Sequence, residues 1–153
     1  MIEGWRIVEA AFADNAFDGE GSRRYDGRWH SKGMPVVYTS SSIALATLEL
    51  LVHLESERRV PDYVVIRCYF PEALLETVDR TRLPANWREY PAPSELQRIG
   101  GEWLAGRSSA VLEVPSAIID REVNYLLNPE HEDFKSIDIG ASQQFKLDPR
   151  LRT

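Results

Sequence analysis

The sequence predicts an α+β fold, one compact domain with small mixed or antiparallel sheets and a few helices. Three observations carry this. Short stretches of strand-forming residues recur along the whole chain, and two longer stretches between them have helical spacing and capping residues. The 153 residues also show no repeat, low-complexity tract or composition break that would mark a linker. A chain of that length can bury a real core without disulfide staples, so the domain is read as residues 1–153.

The elements follow in order. Residues 4–10, GWRIVEA, read as an edge strand, and FADNAFDGEGSRRYDG after it as a loop full of turn formers. PVVYTS is a short strand beginning at Pro35. Ser40 to Ser42 offer N-caps for a helix over roughly 42–57, ended before Pro61. In DYVVIRCYF, Val64, Ile66, Cys68 and Phe70 alternate with Tyr63, Val65, Arg67 and Tyr69; both faces are largely apolar, which places this strand inside a sheet.

PEALLETV is at most a two-turn helix, and RTRLPANWREYPAP a proline-rich connection. SELQRIGGEWLAG reads as a helix capped by Ser94 and ended near Gly106. Gly100 and Gly101 each cost a helix interior about 1 kcal/mol relative to alanine, so either another backbone passes close by or the helix bends there. SAVLEVPS is a strand ended by Pro115, NYLLNPEH a turn-rich segment, and KSIDIG and QQFKLD the closing strands.

Composition excludes several function classes. At 43% hydrophobic and 27% charged residues the chain is ordinary globular protein. Its 18 basic against 24 acidic side chains give a net charge of −6, which disfavours general affinity for nucleic acid or anionic membrane, because both depend on summed positive potential. Cys68 is the one cysteine, so no intrachain disulfide can form and a reducing compartment is expected. MIEGWRIVEA has acidic residues where a signal peptide needs basic ones, and no run approaches the ~18 apolar residues of a membrane span. A cytosolic protein is expected.

The common catalytic patterns fail. Gly19 and Gly21 begin a GxGxxG spacing, but Arg24 stands at the third glycine position and no strand precedes it. There is no phosphate-binding GKS or GKT, no GxSxG elbow and no HExxH, and His30, His53 and His131 lie too far apart for a local metal site. No metal is expected.

Four residues stand out instead. Glu49 interrupts the apolar run IALATLELLVHL, and on a helical wheel it forms one narrow polar stripe with Ser42, His53 and Ser56. That stripe is either a solvent face or the wall of a cleft, where a carboxylate among apolar neighbours could stabilise developing positive charge. Arg28 belongs to RRYDGRWHSK, which holds Arg23, Arg24, Arg28 and Lys32 against Asp26 alone. Its planar fork suits an anionic ligand, and Gly27 beside it admits close approach. Trp29 is either core or a stacking platform, and Tyr38 an ordinary strand aromatic or a ring open to a planar ligand. Ser116 follows Pro115 at a strand end, where the fixed proline can aim its hydroxyl inward. Asn124, Asn128 and His131 read as turn caps.

Taken in order, GRWHSKGMPVVYTSSSIALATLELLVHLE, EVPSAI, NYLLNPEH and FKLDPRL resemble the RES domain, the toxin half of RES–Xre toxin–antitoxin pairs. The resemblance spans nearly the whole chain, and four motifs in the right order are more specific than any one. The family's arginine, glutamate, serine and tyrosine match Arg28, Glu49, Ser116 and Tyr38. It implies a fold similar to diphtheria-toxin-like ADP-ribosyltransferases and an enzyme that destroys cellular NAD+ by glycohydrolysis or phosphorolysis. NAD+ is then a substrate held by Arg28, Tyr38 and Ser116, with Glu49, Arg28 and Tyr38 the catalytic set. It further implies a cognate Xre-type DNA-binding antitoxin as partner, with room for a homodimer inside that complex. Two other classes use the same residues: a protein-directed ADP-ribosyltransferase, and a noncatalytic nucleotide-binding module.

Overall fold

A computed structural model describes residues 1–54 and 59–152. Among the described residues eight strands form one sheet: β1 (Ile2–Glu9), β2 (Val37–Ser40), β3 (Tyr63–Phe70), β4 (Leu75–Thr77), β5 (Val111–Pro115), β6 (Val123–Leu127), β7 (Asp138–Ile139) and β8 (Gln143–Phe145). Their order is β4-β5-β6-β2-β1-β3-β7, with β8 also pairing β3. Every pairing is antiparallel except β4 with β5. The helices α1 (Glu20–Arg24), α2 (Ile43–Leu51) and α3 (Ser94–Gly106) complete the α+β architecture of the described residues.

The sheet is two ladders joined at a narrow seam. β1 and β3 pair along their whole length, from Ile2 opposite Phe70 to Glu9 opposite Tyr63. On the other side β2, β6 and β5 form a second continuous ladder. Between them β1 meets β2 at one Cα pair, Trp5 opposite Ser40. Beyond that point Arg6 replaces ladder bonds, its Nη1 donating to the Tyr38 carbonyl at 3.0 Å and its Nε to the Ala16 carbonyl at 2.7 Å. Desolvation pulls the Arg6 pKa down to about 10, with Asp18 opposing.

The seam corrects the expectation that residues 4–10 form an edge strand. The polar residues of β1 suggested an edge, yet Arg6 serves the seam and Glu3 pairs with Arg67 on β3. Gly4 in β1 also keeps the strands close, since a Cβ there would stand 2.7 Å from Thr39 Oγ1.

Two cores lie on opposite faces. Val37, Ile66, Cys68, Phe70, Val111, Tyr125 and Leu127 pack on one face with Phe17 and Ile137. Leu112, Val114 and Leu126 pack on the other against α3 and Trp29. The alternation of Tyr125, Leu126 and Leu127 between these cores is the period-two geometry of a strand. NYLLNPEH is therefore not simply turn-rich: its first residues lie in β6, paired on both sides by β2 and β5, and the turn begins at Asn128.

Other boundaries shift for local reasons. The expected loop after β1 holds a 3-10 turn (Ala10–Asn15) and α1. PEALLETV forms a 3-10 turn (Glu72–Leu74) and then β4, because Leu75, Glu76 and Thr77 find parallel partners on β5. Ser42 caps α2 by accepting from Leu45 N–H at 3.1 Å. The helix ends at Leu51 instead of near 57: His53 and Leu54 N–H bond to Leu50 and Leu51, the tighter i→i+3 pattern that closes a helix end. The rest of that expectation falls on residues outside those described. The PVVYTS strand starts at Val37, and Ser94 is the first residue of α3, with Pro93 at the cap position.

Leu96, Ile99, Gly100, Trp103 and Leu104 form the buried face of α3, the i, i+3, i+4 spacing of an amphipathic helix. Gly100 answers the question of the glycine pair. A Cβ there would overlap the Trp29 carbonyl oxygen and stand 2.8 Å from its carbon, so another backbone does pass against the helix. At Gly101 the nearest atom to such a Cβ is Met34 Sδ at 3.6 Å, ordinary contact. Gly100→Ala should therefore destabilise by more than about 3 kcal/mol, since the obstacle is backbone that cannot rotate away. Gly101→Ala should be neutral or stabilise by up to about 1 kcal/mol through helix propensity. Urea unfolding of the two variants reads both values.

Candidate functional site

The four singled-out residues come from four parts of the chain: Ser116 follows β5, Glu49 lies in α2, Tyr38 in β2, and Arg28 in the loop between α1 and β2. Glu49 and Ser116 are in direct contact. The fully buried Ser116 donates its Oγ–H to Oε1 of the half-buried Glu49 at 3.0 Å. The same Oγ accepts from the Ile118 and Ile119 N–H groups, each at 3.1 Å. A hydroxyl has one proton and two lone pairs, so the two amides fill its acceptor side and direct the proton at the carboxylate. Pro115 closes β5 and Ser116 N–H bonds the Glu122 carbonyl at 2.9 Å, fixing where the hydroxyl points.

This bond gives one residue of the polar stripe of α2 a protein partner. Glu49 faces Ser116, not open solvent alone, while Ser42 is the N-cap and His53 is exposed beyond the helix end. Ser56 lies outside the described residues.

Arg28 is the one member of its basic cluster turned inward. Arg23, Arg24 and Lys32 are exposed, and Arg23 pairs with Glu20 and Glu130. The Arg28 Nη1 donates to the carbonyls of Trp87 at 2.8 Å and Glu89 at 3.1 Å. Its Nε and Nη2 have no hydrogen-bond partner among the described residues, which leaves the side-on fork that suits carboxylate or phosphate oxygens. Burial lowers the Arg28 pKa, while the negative charge of Glu49 and, more weakly, Tyr38 and Tyr90 pull it back up. Guanidinium and carboxylate thus act on one another across the site.

Tyr38 packs with Trp29 on the face covered by α3. Its hydroxyl lies 2.7 Å from His30 Nδ1 and accepts from Trp29 N–H at 3.2 Å. Desolvation pushes its pKa well above the ordinary tyrosine value, against the Trp29 amide and the charge of Arg28. Trp29, at 2% exposed, is core and not a stacking surface.

Sequence reasoning missed several supports. Gln97 on α3 donates to the Gly27 carbonyl at 3.1 Å, a polar residue beside the glycine pair that could have signalled a contact. A Cβ at Gly27 would overlap His30 Cε1 and stand 2.7 Å from Tyr38 Oη, so this glycine admits protein groups. Arg88 donates to the carbonyls of Ala117 at 3.0 Å and Ile118 at 3.1 Å, joining the segment that holds Arg28 to the turn that holds Ser116. Nothing in its sequence neighbourhood marks it. Asn128 and His131 are turn caps as read, accepting from Glu130 and Asp133 N–H. Asn124 instead sits in β6, where its Oδ1 accepts from Ser40 Oγ at 2.7 Å. Among the described residues no group of three or more His, Cys, Asp or Glu is placed to hold a metal ion, and no helix is long and apolar enough to cross a membrane.

The same α+β fold is found in a chain of the M. tuberculosis MbcT–MbcA toxin–antitoxin complex, with a TM-score of 0.77 over 98% of this chain and 86% of that one, at 19% identity. The RES domain family matches residues 3–148. The chain belongs to that family. It is 37% identical over 149 residues to Toxin Res of Photorhabdus laumondii, covering 96% of this chain and 95% of that protein. It is also 35% identical over 152 residues to the Prs ADP-ribosylating toxin of a Sphingobium species, covering 96% and 94%.

The Ser116 arrangement sets a stability test. Ser116→Ala strands two part-buried amides and should cost about 1 to 3 kcal/mol. Glu49→Gln keeps an oxygen acceptor for the serine and should stay within about 0.5 kcal/mol of the wild type. Chemical denaturation midpoints separate the two.

Proposed function

We propose that this RES domain is the toxin of a toxin–antitoxin pair and depletes NAD+ by cleaving the bond between nicotinamide and ribose. The observation that carries the reading is the Glu49 carboxylate held by Ser116, close enough to Arg28 for its charge to raise the guanidinium pKa, with Nε and Nη2 of Arg28 unpartnered among the described residues. A carboxylate and a guanidinium edge within reach of one another's charge match a ligand that becomes cationic at one point and carries phosphates at another. The relatives named Toxin Res and Prs ADP-ribosylating toxin support it, since ADP-ribosyl transfer also begins by breaking this bond of NAD+.

The chemistry asks little of the protein. The C1′–N bond breaks, its electron pair returns to the positively charged ring nitrogen, and neutral nicotinamide leaves without needing a general acid. The ribose passes through an oxocarbenium-like state, and an oxygen of water or phosphate then bonds C1′ and gives up its proton to solvent. Glu49 stabilises that cation and accepts from the ribose hydroxyls. Arg28 binds the pyrophosphate through Nε and Nη2, and the Tyr38 ring stacks on nicotinamide. Ser116, its own hydrogen bonds filled, aims Glu49 and through it the ribose.

A chromatographic time course of NAD+ with the purified chain tests this reading: nicotinamide should accumulate, and a phosphate-dependent second product identifies phosphorolysis. Transfer to protein, which the Sphingobium relative's name favours, would instead label lysate proteins from labelled NAD+. Unchanged NAD+ sinks both and leaves a noncatalytic module.

Glu49→Gln removes the charge and keeps the shape, so turnover should fall about 10²- to 10³-fold while NAD+ binding survives in weakened form. Near-normal turnover would remove Glu49 from the reaction. The structural neighbour's complex supports an antitoxin partner as well. The partner proposed is a small Xre-type DNA-binding protein covering the cleft near Arg28, and the co-purified complex should consume NAD+ far more slowly than the free chain. Equal rates would exclude occlusion.

A further inference from the structure

We propose that His30 is a positioning residue: its imidazole takes the hydrogen bond of the Tyr38 hydroxyl, so that Tyr38 offers its ring, and not its O–H, to whatever occupies the cleft. The inference rests on the proposed function only for the identity of that occupant.

The assignment follows from what each partner can do. His30 is 3% exposed, and its Nε2 lies 2.8 Å from the Tyr25 carbonyl oxygen. A carbonyl oxygen can only accept, so Nε2 carries a hydrogen. In that tautomer Nδ1 is a bare acceptor, and it faces Tyr38 Oη at 2.7 Å. The phenol proton therefore points at His30, and Oη in turn accepts from Trp29 N–H at 3.2 Å. The result is a chain with one direction, from Trp29 N–H through Tyr38 and His30 to the Tyr25 carbonyl, in which every polar group has a partner. A second hydrogen on Nδ1 would leave the phenol proton with no acceptor.

The loop around Arg28 is wound on this hydroxyl. Trp29, the residue after Arg28, donates to it, and Gly27, the residue before, lies so close that a Cβ would stand 2.6 Å from His30 Nδ1. His30 thus acts on Arg28 as well as on Tyr38, without touching the ligand. One consequence is that the hydroxyl of Tyr38 is committed before any ligand arrives. Removing it should disturb binding through the loop, and the chemical step much less.

Two measurements on the full chain decide this. The long-range nitrogen–proton correlation spectrum of the imidazoles, with His30 identified by its loss in His30→Asn, should show the Nε2–H tautomer. The Nδ1–H or doubly protonated pattern overturns the proposal, and this readout stands whether or not the chain consumes NAD+. Kinetics provide the second. Asparagine can place its side-chain oxygen near Nδ1 and still accept the phenol proton, so His30→Asn should keep kcat/KM for NAD+ within about threefold, whereas His30→Leu should lose about tenfold or more, mainly in KM. Because both would act through one hydrogen bond, the losses of His30→Leu and Tyr38→Phe should not add. Wild-type kinetics in His30→Leu, a loss in His30→Asn as large as in His30→Leu, or additive losses each overturn it. Should His30→Leu not fold, the Asn variant and the spectrum still decide. A wild-type chain that leaves NAD+ intact counts against the functional reading alone.

Discussion

The approach of the Trp29 backbone to Gly100 of α3 is the contact on which the rest of the site depends. A loop made of small and polar residues has little to hold it, and this one carries the cation of the site. With no Cβ at Gly100, the Trp29 carbonyl lies against the helix and the indole enters the core between α3 and the sheet. The glycine lowers helix propensity by about 1 kcal/mol, and the burial of an indole, worth several times that, more than offsets it. Once the indole is seated, Gln97 reaches the Gly27 carbonyl and Tyr38 reaches the Trp29 amide. Arg28, between these two tethers, has little freedom left.

Charge is used locally in the same spirit. Within its loop Arg28 is the base that turns inward, while the other cations of that loop are spent on solvent or on glutamates. Opposite it, Glu49 keeps its position through a hydroxyl whose other bonds are backbone amides. Both charged groups are thus steered by peptide groups, carbonyls for the guanidinium and, through Ser116, amides for the carboxylate. Backbone contacts of this kind depend on fold more than on side-chain identity, which explains why so much of the supporting structure leaves no motif.

How far the sequence could be read follows from that. Periodicity revealed β3 and α3, because alternating apolar residues and an i, i+3, i+4 stripe report burial directly. It misplaced β1 and β6. In β1 the polar residues that suggest an edge are engaged with β3 and the seam, and β6 is a short strand running into a turn at Asn128. The glycine pair left open a close backbone approach or a bend, and the Trp29 carbonyl against Gly100 decides for the approach. Arg28, Tyr38, Glu49 and Ser116 were legible as exceptions to local pattern or as parts of a family motif. His30 was visible only as a histidine too isolated for a metal, and its value lies in a hydrogen bond whose geometry needs the fold.

The tether of Arg28 to the Trp87 and Glu89 carbonyls has a thermodynamic meaning. An arginine carries about 2 kcal/mol of rotamer entropy, and here most of it is surrendered during folding instead of during ligand capture. An anion bound there, as proposed, would meet a preorganised fork, and more of the intrinsic attraction would survive as affinity. The same arrangement would make the grip on such an anion depend on residues 84–90, whose carbonyls hold Nη1. Whatever displaces those two carbonyls restores the lost freedom of the guanidinium, and would loosen the proposed ligand without competing for Nε and Nη2.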